Sequence, residues 1–296
     1  MAKAAARTSP NRRAAAPLSS GASMDFETLN VRQDGPVASV EIAAPPMNLL
    51  GPALVRDLVA FIQQAEADAG LQVVILKSAD PDYFIAHVDI TRIAEYRRET
   101  VKLTGGEASL GLLFRYLSAS RLITIAQIEG RTRGAGNEFA LACDMRFAAR
   151  GKALFGQPEV GFGLLPGAGG LQHLTRLMGR GRALEAILGG EDFDADLAER
   201  YGWINRALPA NEIGGFVAHL AQRIAGFPAN ARALIKERIN AIALAPAAEF
   251  SHDSGLFPQL AGGAESQSRS RQAMARGFQT RDAEMDLPRM LPDLRS

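Results

Sequence analysis

The stretch FGQPEVGFGLLPGAGG, residues 155–170, decides the fold prediction for this chain. Glu159 is its only charged residue, and glycines and apolar residues surround it. An isolated acid in such a loop is a candidate for the wall of a cleft. The alternative is a surface acid that bonds to the backbone of its own turn.

A second acid stands upstream in EGRTRGAGNEFA, residues 129–140. The glycines at 134 and 136 fall between a buried strand and a helix, so backbone NH groups at the positive helix end can receive an anion or an oxyanion. Glu138 shares the helix face of Leu141 and Ala142, where a carboxylate is costly to desolvate unless it is bonded or used. The alternative is a solvent-facing acid in the first turn. Two acids in one desolvated pocket would push their pKa values apart.

The rest of the chain alternates strands and helices as far as about residue 211. Apolar runs predict strands at residues 37–42, 72–76, 122–128 and 145–149, and helical spacing predicts helices at 54–70, 110–117 and 137–143. Residues 83–90 are predicted as a loop leading into a helix start, and 130–136 as a turn. This order indicates an α/β fold with parallel strands. Beyond residue 212 only helical segments are predicted.

Composition narrows the class of protein. A net charge of +1 over 296 residues gives no indication of a nucleic-acid or membrane partner. The single cysteine, Cys143, excludes an intramolecular disulfide, does not suggest a metal cluster, and favours a reducing compartment, the cytoplasm. Residues 1–23 are basic, alanine-rich and free of acids, which predicts a disordered extension, with a transit peptide as the alternative.

Three segments together resemble the crotonase (enoyl-CoA hydratase/isomerase) superfamily. Members carry Phe-(Ser/Ala)-Ala-Gly-(Ala/Gly)-Asp-(Ile/Leu), which residues 84–90 resemble, and Asn-Gly-x-x-x-Gly-Gly-Gly-x-Glu-Leu-Ala, which residues 129–140 resemble. They also carry Phe-Gly-x-Pro-Glu and Gly-x-x-Pro-Gly-x-Gly-Gly, which residues 155–170 match closely. The resemblance implies a spiral of repeated ββα units over residues 24–211 and a helical region over 212–296. It also implies a homotrimer or a hexamer built as a dimer of trimers.

The resemblance also implies roles for individual residues. Ala86 and Ala135 would supply the oxyanion-hole NH groups, and Glu138 and Glu159 would be the catalytic acid–base pair that adds water to an enoyl-CoA thioester. No metal or cofactor is implied, because coenzyme A is part of the substrate. The substrate-binding residues would be His87, Asp89, Ile90, Gly134 and Gly163.

Some positions depart from the family pattern and leave other reactions open. His87 and Val88 stand where small residues are usual, and Ala135 replaces a glycine. Arg131 and Arg133 are expected to be solvated surface residues. The alternatives are an enoyl-CoA isomerase, a thioester hydrolase or a C–C lyase, and a non-catalytic crotonase-fold scaffold. The tail around Gly277 and Phe278 is expected to help close the CoA site.

Overall fold

The computed structural model describes residues 26–294, so the predicted extension over residues 1–23 lies outside the described residues. Ten strands are present in this part of the chain. In chain order they are β1 (Leu29–Asp34), β2 (Val37–Ile42), β3 (Val73–Ser78), β4 (Tyr83–Ile85), β5 (Ile123–Ile128), β6 (Arg131–Arg133), β7 (Met145–Ala149), β8 (Leu154–Gly156), β9 (Phe193–Asp194) and β10 (Arg206–Leu208).

The strands form two sheets. The larger has the order β1-β2-β3-β5-β7-β10, with β1 antiparallel to β2 and each later pair parallel. The smaller has the order β4-β6-β8-β9, parallel except for β8 and β9. The successive pairs β3–β4, β5–β6 and β7–β8 each give one strand to each sheet, so the chain winds as a spiral. This confirms the α/β fold of repeated ββα units.

The smaller sheet is where the sequence prediction was wrong. β4 lies in the segment predicted as a loop, and β6 lies in the segment predicted as a turn. Each strand has three residues, too few to show a two-residue period. Pairing of β6 with β4 on one side and β8 on the other holds its Arg-Thr-Arg sequence extended, although that sequence has little strand preference of its own.

Thirteen α-helices complete the described part. They are α1 (Pro52–Ala67), α2 (Ile93–Glu99), α3 (Leu110–Ala119), α4 (Ala135–Ala142), α5 (Gly170–Met178), α6 (Arg180–Gly189), α7 (Ala195–Tyr201), α8 (Ile213–Ala225), α9 (Ala229–Ala243), α10 (Ala247–Ala261), α11 (Ala264–Ala275), α12 (Arg281–Glu284) and α13 (Leu287–Met290). Short 3-10 helices span Thr100–Lys102, Pro158–Phe162 and Leu291–Asp293. None of the helices in residues 26–294 is long and apolar enough to cross a membrane.

The main core lies between the larger sheet and helices α1, α3 and α4. Helix α8 covers the other face of that sheet, with Val217 and Ala221 buried in a second cluster that includes Ile125. The helical tail then returns to the spiral. Helix α10 packs on α3, and α11 packs on the 3-10 helix that carries Glu159. The packing therefore brings the tail over the candidate site, while the division at residue 212 stays a prediction.

Candidate active site

Glu138 is buried in the first turn of α4 and is 1% exposed. Its Oε1 accepts hydrogen bonds from the NH groups of Ala168 and Gly170, both at 2.8 Å. These donors belong to the glycine-rich loop at the start of α5. The solvent-facing alternative for Glu138 is therefore wrong, and the loop that decided the fold prediction also holds this acid.

Glu159 lies in the 3-10 helix Pro158–Phe162 and is 8% exposed. Its Oε2 accepts a hydrogen bond from Gln157 Nε2 at 3.0 Å. The side-chain oxygen of Gln157, Oε1, accepts a hydrogen bond from Asn137 Nδ2. The side-chain oxygen of Asn137, Oδ1, accepts a hydrogen bond from Trp203 Nε1 at 2.9 Å. A chain of neutral, buried donors therefore fixes Glu159 against α4.

The two acids have different electrostatic surroundings. Burial raises the pKa of Glu138 to about 7, although the two NH donors favour its charged form. Burial also raises the pKa of Glu159 well above its ordinary value, and the charge of Glu138 raises it further. Glu138 therefore ionises first and Glu159 keeps its proton to higher pH, which is the division that acid–base catalysis needs.

Both acids line one mostly apolar cleft, which encloses about 630 Å³ with its open mouth included. Six of the predicted site residues meet there: His87, Ile90, Gly134, Ala135, Glu138 and Glu159. Gly134 fits only as glycine, because its φ is +50° and a Cβ atom would lie 3.1 Å from Glu159 Oε1. Gly136 is equally constrained, because a Cβ atom there would lie 2.2 Å from the Ile85 carbonyl oxygen.

Ala86, Asp89 and Gly163 lie outside the lining of the cleft. The Ala86 NH donates to the Met47 carbonyl oxygen over 3.3 Å, a long hydrogen bond. Asp89 accepts from Thr91 and from Gln279 of the tail. Gly163 ends the 3-10 helix of Glu159 with a φ of +69°. By contrast, Ala135 is the first residue of α4, so its NH has no acceptor within the helix.

His87 joins the spiral to the tail. Its Nδ1 lies 2.7 Å from the Val88 carbonyl oxygen, and its Nε2 lies 2.7 Å from Glu284 Oε1 of α12. Its ring stacks on Phe278 with centroids 4.6 Å apart. Both ring nitrogens therefore face oxygen atoms, one of the Val88 backbone and one of the Glu284 carboxyl group. Burial would raise the pKa of Glu284, but the charge and hydrogen bond of His87 and the charge of Arg133 hold it below 4.5.

The prediction that Arg133 is a solvated surface residue is wrong. Arg133 is 1% exposed, and its Nε donates to Asp192 Oδ1 at 2.8 Å while Nη2 donates to Oδ2. Its Nη1 also donates to the Glu284 carbonyl oxygen at 2.6 Å. Glu284 and Asp192 were not among the predicted site residues, and no local pattern marks either one. The tail around Phe278 was expected to help close the CoA site, and Phe278 is part of the cleft lining.

Comparison with known proteins agrees with this geometry. The family model for enoyl-CoA hydratase/isomerase matches residues 32–280. The chain belongs to this family. It is 33% identical to the short-chain-enoyl-CoA hydratase of Clostridium acetobutylicum over 219 residues, which cover 73% of this chain and 82% of that protein.

Solved structures confirm the crotonase fold of this family member. A Streptomyces avermitilis protein provisionally identified as an enoyl-CoA hydratase superposes with a TM-score of 0.91 at 54% identity, covering 94% of this chain and 100% of that one. The structure of Pseudomonas aeruginosa DspI superposes with a TM-score of 0.67 at 31% identity, covering 75% of this chain and 90% of that one.

Proposed function

We propose that this protein is an enoyl-CoA hydratase, which adds water across the 2,3 double bond of an enoyl-CoA thioester. The observation that carries the proposal is the pair of buried acids, Glu138 and Glu159, on one apolar cleft beside the free NH of Ala135. The names of the relatives agree with this reaction. Coenzyme A enters as part of the substrate, so the reaction needs no separate cofactor.

The hydrogen bonds of the two acids and the directions of their pKa shifts assign the roles. Glu138, the acid that ionises first, takes a proton from water as the water oxygen bonds to Cβ. Glu159, which keeps its proton to higher pH, gives that proton to Cα. The C=C π bond breaks, one C–O and one C–H bond form, and the proton on Glu138 returns to Glu159 before the next turnover.

Backbone donors stabilise the enolate formed between these steps. The Ala135 NH is the donor that lines the cleft, and the positive end of α4 adds to its effect. Ala86 would be the second donor, its NH exchanging the long bond to Met47 for the thioester oxygen. His87 and Ile90 would form part of the wall of the substrate pocket, and Gly134 leaves space beside Glu159. Asp89, which accepts from Gln279, and Gly163, which ends the 3-10 helix of Glu159, would act on the substrate through these neighbours.

The quaternary structure and location form part of the same proposal. Helix α9 leaves Leu234, Ile235, Ile239 and Ile242 more than half exposed, which supports a homotrimer, or a dimer of trimers, that covers them. The single cysteine, Cys143, is buried and free, as a reducing cytoplasm would keep it. The net charge of +1 gives no support for a nucleic-acid or membrane partner.

Hydration of crotonyl-CoA, followed by loss of the conjugated-thioester absorbance, tests the proposal. We expect Glu138→Gln and Glu159→Gln each to lower kcat by about 100-fold or more, on the scale of a lost general acid or base. Glu199→Gln, an exposed acid on α7, is the matched control and should keep full activity.

Other results would replace the proposal with an alternative. Unchanged activity in both active-site variants would exclude the two-acid mechanism. Mass-resolved products from a panel of acyl-CoA and enoyl-CoA substrates distinguish hydration from isomerisation, thioester hydrolysis and C–C cleavage. Absence of any CoA-thioester binding in calorimetry would favour a non-catalytic scaffold.

A further inference from the structure

Besides Tyr96, four titratable side chains line the cleft, and three of them have partners that the structure shows. Glu138 and Glu159 accept hydrogen bonds from neighbouring groups, and His87 is paired with Glu284. The fourth is Arg97. Within residues 26–294 no carboxylate lies at ion-pairing distance from Arg97.

The open edge of the Arg97 guanidinium has a definite shape. Nη1 donates to the carbonyl oxygen of Ser254 on α10 at 3.1 Å and to its Oγ at 3.3 Å. Nε and Nη2 have no protein acceptor in the described part of the chain. In Arg133 the same Nε–Nη2 edge holds both oxygens of Asp192. An arginine edge of this kind matches a carboxylate with two parallel hydrogen bonds.

Arg97 lies among apolar side chains of the cleft lining. Its neighbours in the lining include Tyr96, which is 2% exposed, and Leu110, which is 4% exposed. Phe257, one turn beyond Ser254 on α10, packs against Gly167. Gly167 precedes Ala168, the residue whose NH holds Glu138. Because aromatic and aliphatic side chains line this part of the cleft, it suits the far end of an acyl group better than the bulky, hydrated nucleotide of CoA.

A half-buried cation in such a place is costly without a partner. The same desolvation lowers the pKa of Arg97, because burial disfavours the charged guanidinium. The side chain nevertheless keeps its charge at neutral pH. A bound carboxylate would supply the missing partner. A purely hydrocarbon acyl group would cover the guanidinium and leave it unpaired.

We propose that Arg97 selects enoyl-CoA substrates whose acyl group ends in a carboxylate, held through Nε and Nη2. The inference deepens the proposed function and rests on it for the reaction. Arg97 is a specificity-determining residue in this account and takes no part in proton transfer.

A matched pair of substrates tests the inference: trans-2-pentenoyl-CoA and pent-2-enedioyl-CoA, which differ only in a terminal methyl or carboxylate. We expect wild-type kcat/KM to favour the dicarboxylic substrate by about tenfold to a hundredfold, the value of a charge-assisted hydrogen-bonded pair. Arg97→Met should remove that preference by lowering kcat/KM for the dicarboxylic substrate alone. Arg97→Lys, which keeps the charge without the two-NH edge, should retain part of it. Arg98→Met, on the exposed neighbouring position of α2, should change neither substrate.

Two results would overturn the inference. One is an equal wild-type kcat/KM for the two substrates. The other is an equal loss of kcat/KM for both enoyl-CoA substrates in Arg97→Met, together with no loss when the same acyl groups are offered as pantetheine thioesters. That result would show that Arg97 binds a CoA phosphate.

Binding of the saturated analogues glutaryl-CoA and valeryl-CoA, measured by calorimetry, separates this inference from the reaction. An Arg97-dependent preference for glutaryl-CoA in a protein that hydrates neither enoyl substrate would support the inference and refute the hydratase proposal. Hydration of both substrates without an Arg97-dependent preference would do the reverse.

Discussion

Glu138→Gln should change the pH dependence of stability as well as activity. In the folded protein burial raises the pKa of Glu138 from 4.5 to about 7. The folded state therefore binds this proton more tightly than the unfolded chain does. The resulting stabilisation is complete below pH 4.5 and is lost as the pH rises through 7. Glutamine does not titrate, so the stability of the variant does not show this fall as the pH rises through 7.

The size of the effect follows from the same two values. Each pKa unit corresponds to about 1.4 kcal/mol, and most of this group's titration falls between about pH 5 and pH 8. The free energy of unfolding of the wild type should therefore fall by about 2 to 3 kcal/mol relative to Glu138→Gln over that range. Removing the Glu138 charge also makes Glu159 easier to ionise, so the variant loses less stability than the wild type when Glu159 titrates. This adds to the fall of the wild type relative to Glu138→Gln as the pH rises.

Urea unfolding at four pH values and one protein concentration measures the difference, because an oligomer's stability depends on concentration. Glu199→Gln is the control and should follow the wild type at every pH. A stability difference that does not vary with pH, or that varies in the opposite direction, would refute the desolvation argument for Glu138. The hydration rate of the wild type should meanwhile rise with pH through about 7 as Glu138 ionises.

Four further substitutions test the backbone, the tail and the donor. Gly136→Ala should prevent folding or destabilise strongly, because its Cβ would lie 2.2 Å from a carbonyl oxygen. Gly181→Ala on α6 meets nothing within 4 Å and should stabilise by about 0.5–1 kcal/mol in thermal unfolding. Glu284→Ala should cost about 1–3 kcal/mol in urea unfolding at neutral pH, since it leaves the buried His87 Nε2 without its acceptor and Arg133 with Asp192 alone; equal stability would show that Glu284 does not hold the tail. This deficit should shrink as the pH falls below 4.5, because the lowered pKa of Glu284 makes its contribution complete above that value. Ala135→Pro removes one NH at a helix position that tolerates proline and should lower kcat by about 100- to 1,000-fold with circular dichroism unchanged; unimpaired hydration would exclude this donor.

Four strands of the larger sheet could be predicted because each shows an alternating or continuous apolar pattern, whereas β1, with the sequence LNVRQD, shows neither and was not predicted. Strands β2, β3, β5 and β7 all lie where such patterns occur. The three-residue strands of the smaller sheet could not, since their conformation comes from their partners. The same limit applies to Arg133, whose sequence neighbours suggest a solvated surface, whereas Asp192, 59 positions away, buries it. Glu284 lies 197 positions from His87, beyond any local pattern.

Ion pairing divides the buried charges of this protein into two groups. Arg133 is paired with Asp192 and Glu284, and Lys236 Nζ lies 2.8 Å from Asp144 Oδ2. These pairs hold the tail and α9 on the spiral, and each charge has an opposite charge to offset its desolvation.

Three titratable side chains of the active-site cleft have no such ion-pairing partner within residues 26–294. Glu138 and Glu159 accept only from neutral donors, and Arg97 donates only to Ser254 within residues 26–294. All three line one cleft. Arg146 is also buried without an ion pair in the described part of the chain, but backbone carbonyl oxygens of Ala140, Leu141, Cys143 and Trp203 accept from it. Arg97 has fewer acceptors and so retains a desolvation cost, which a substrate carboxylate would offset. The open Nε–Nη2 edge of Arg97 is therefore the feature of the cleft that an acidic acyl group would complete.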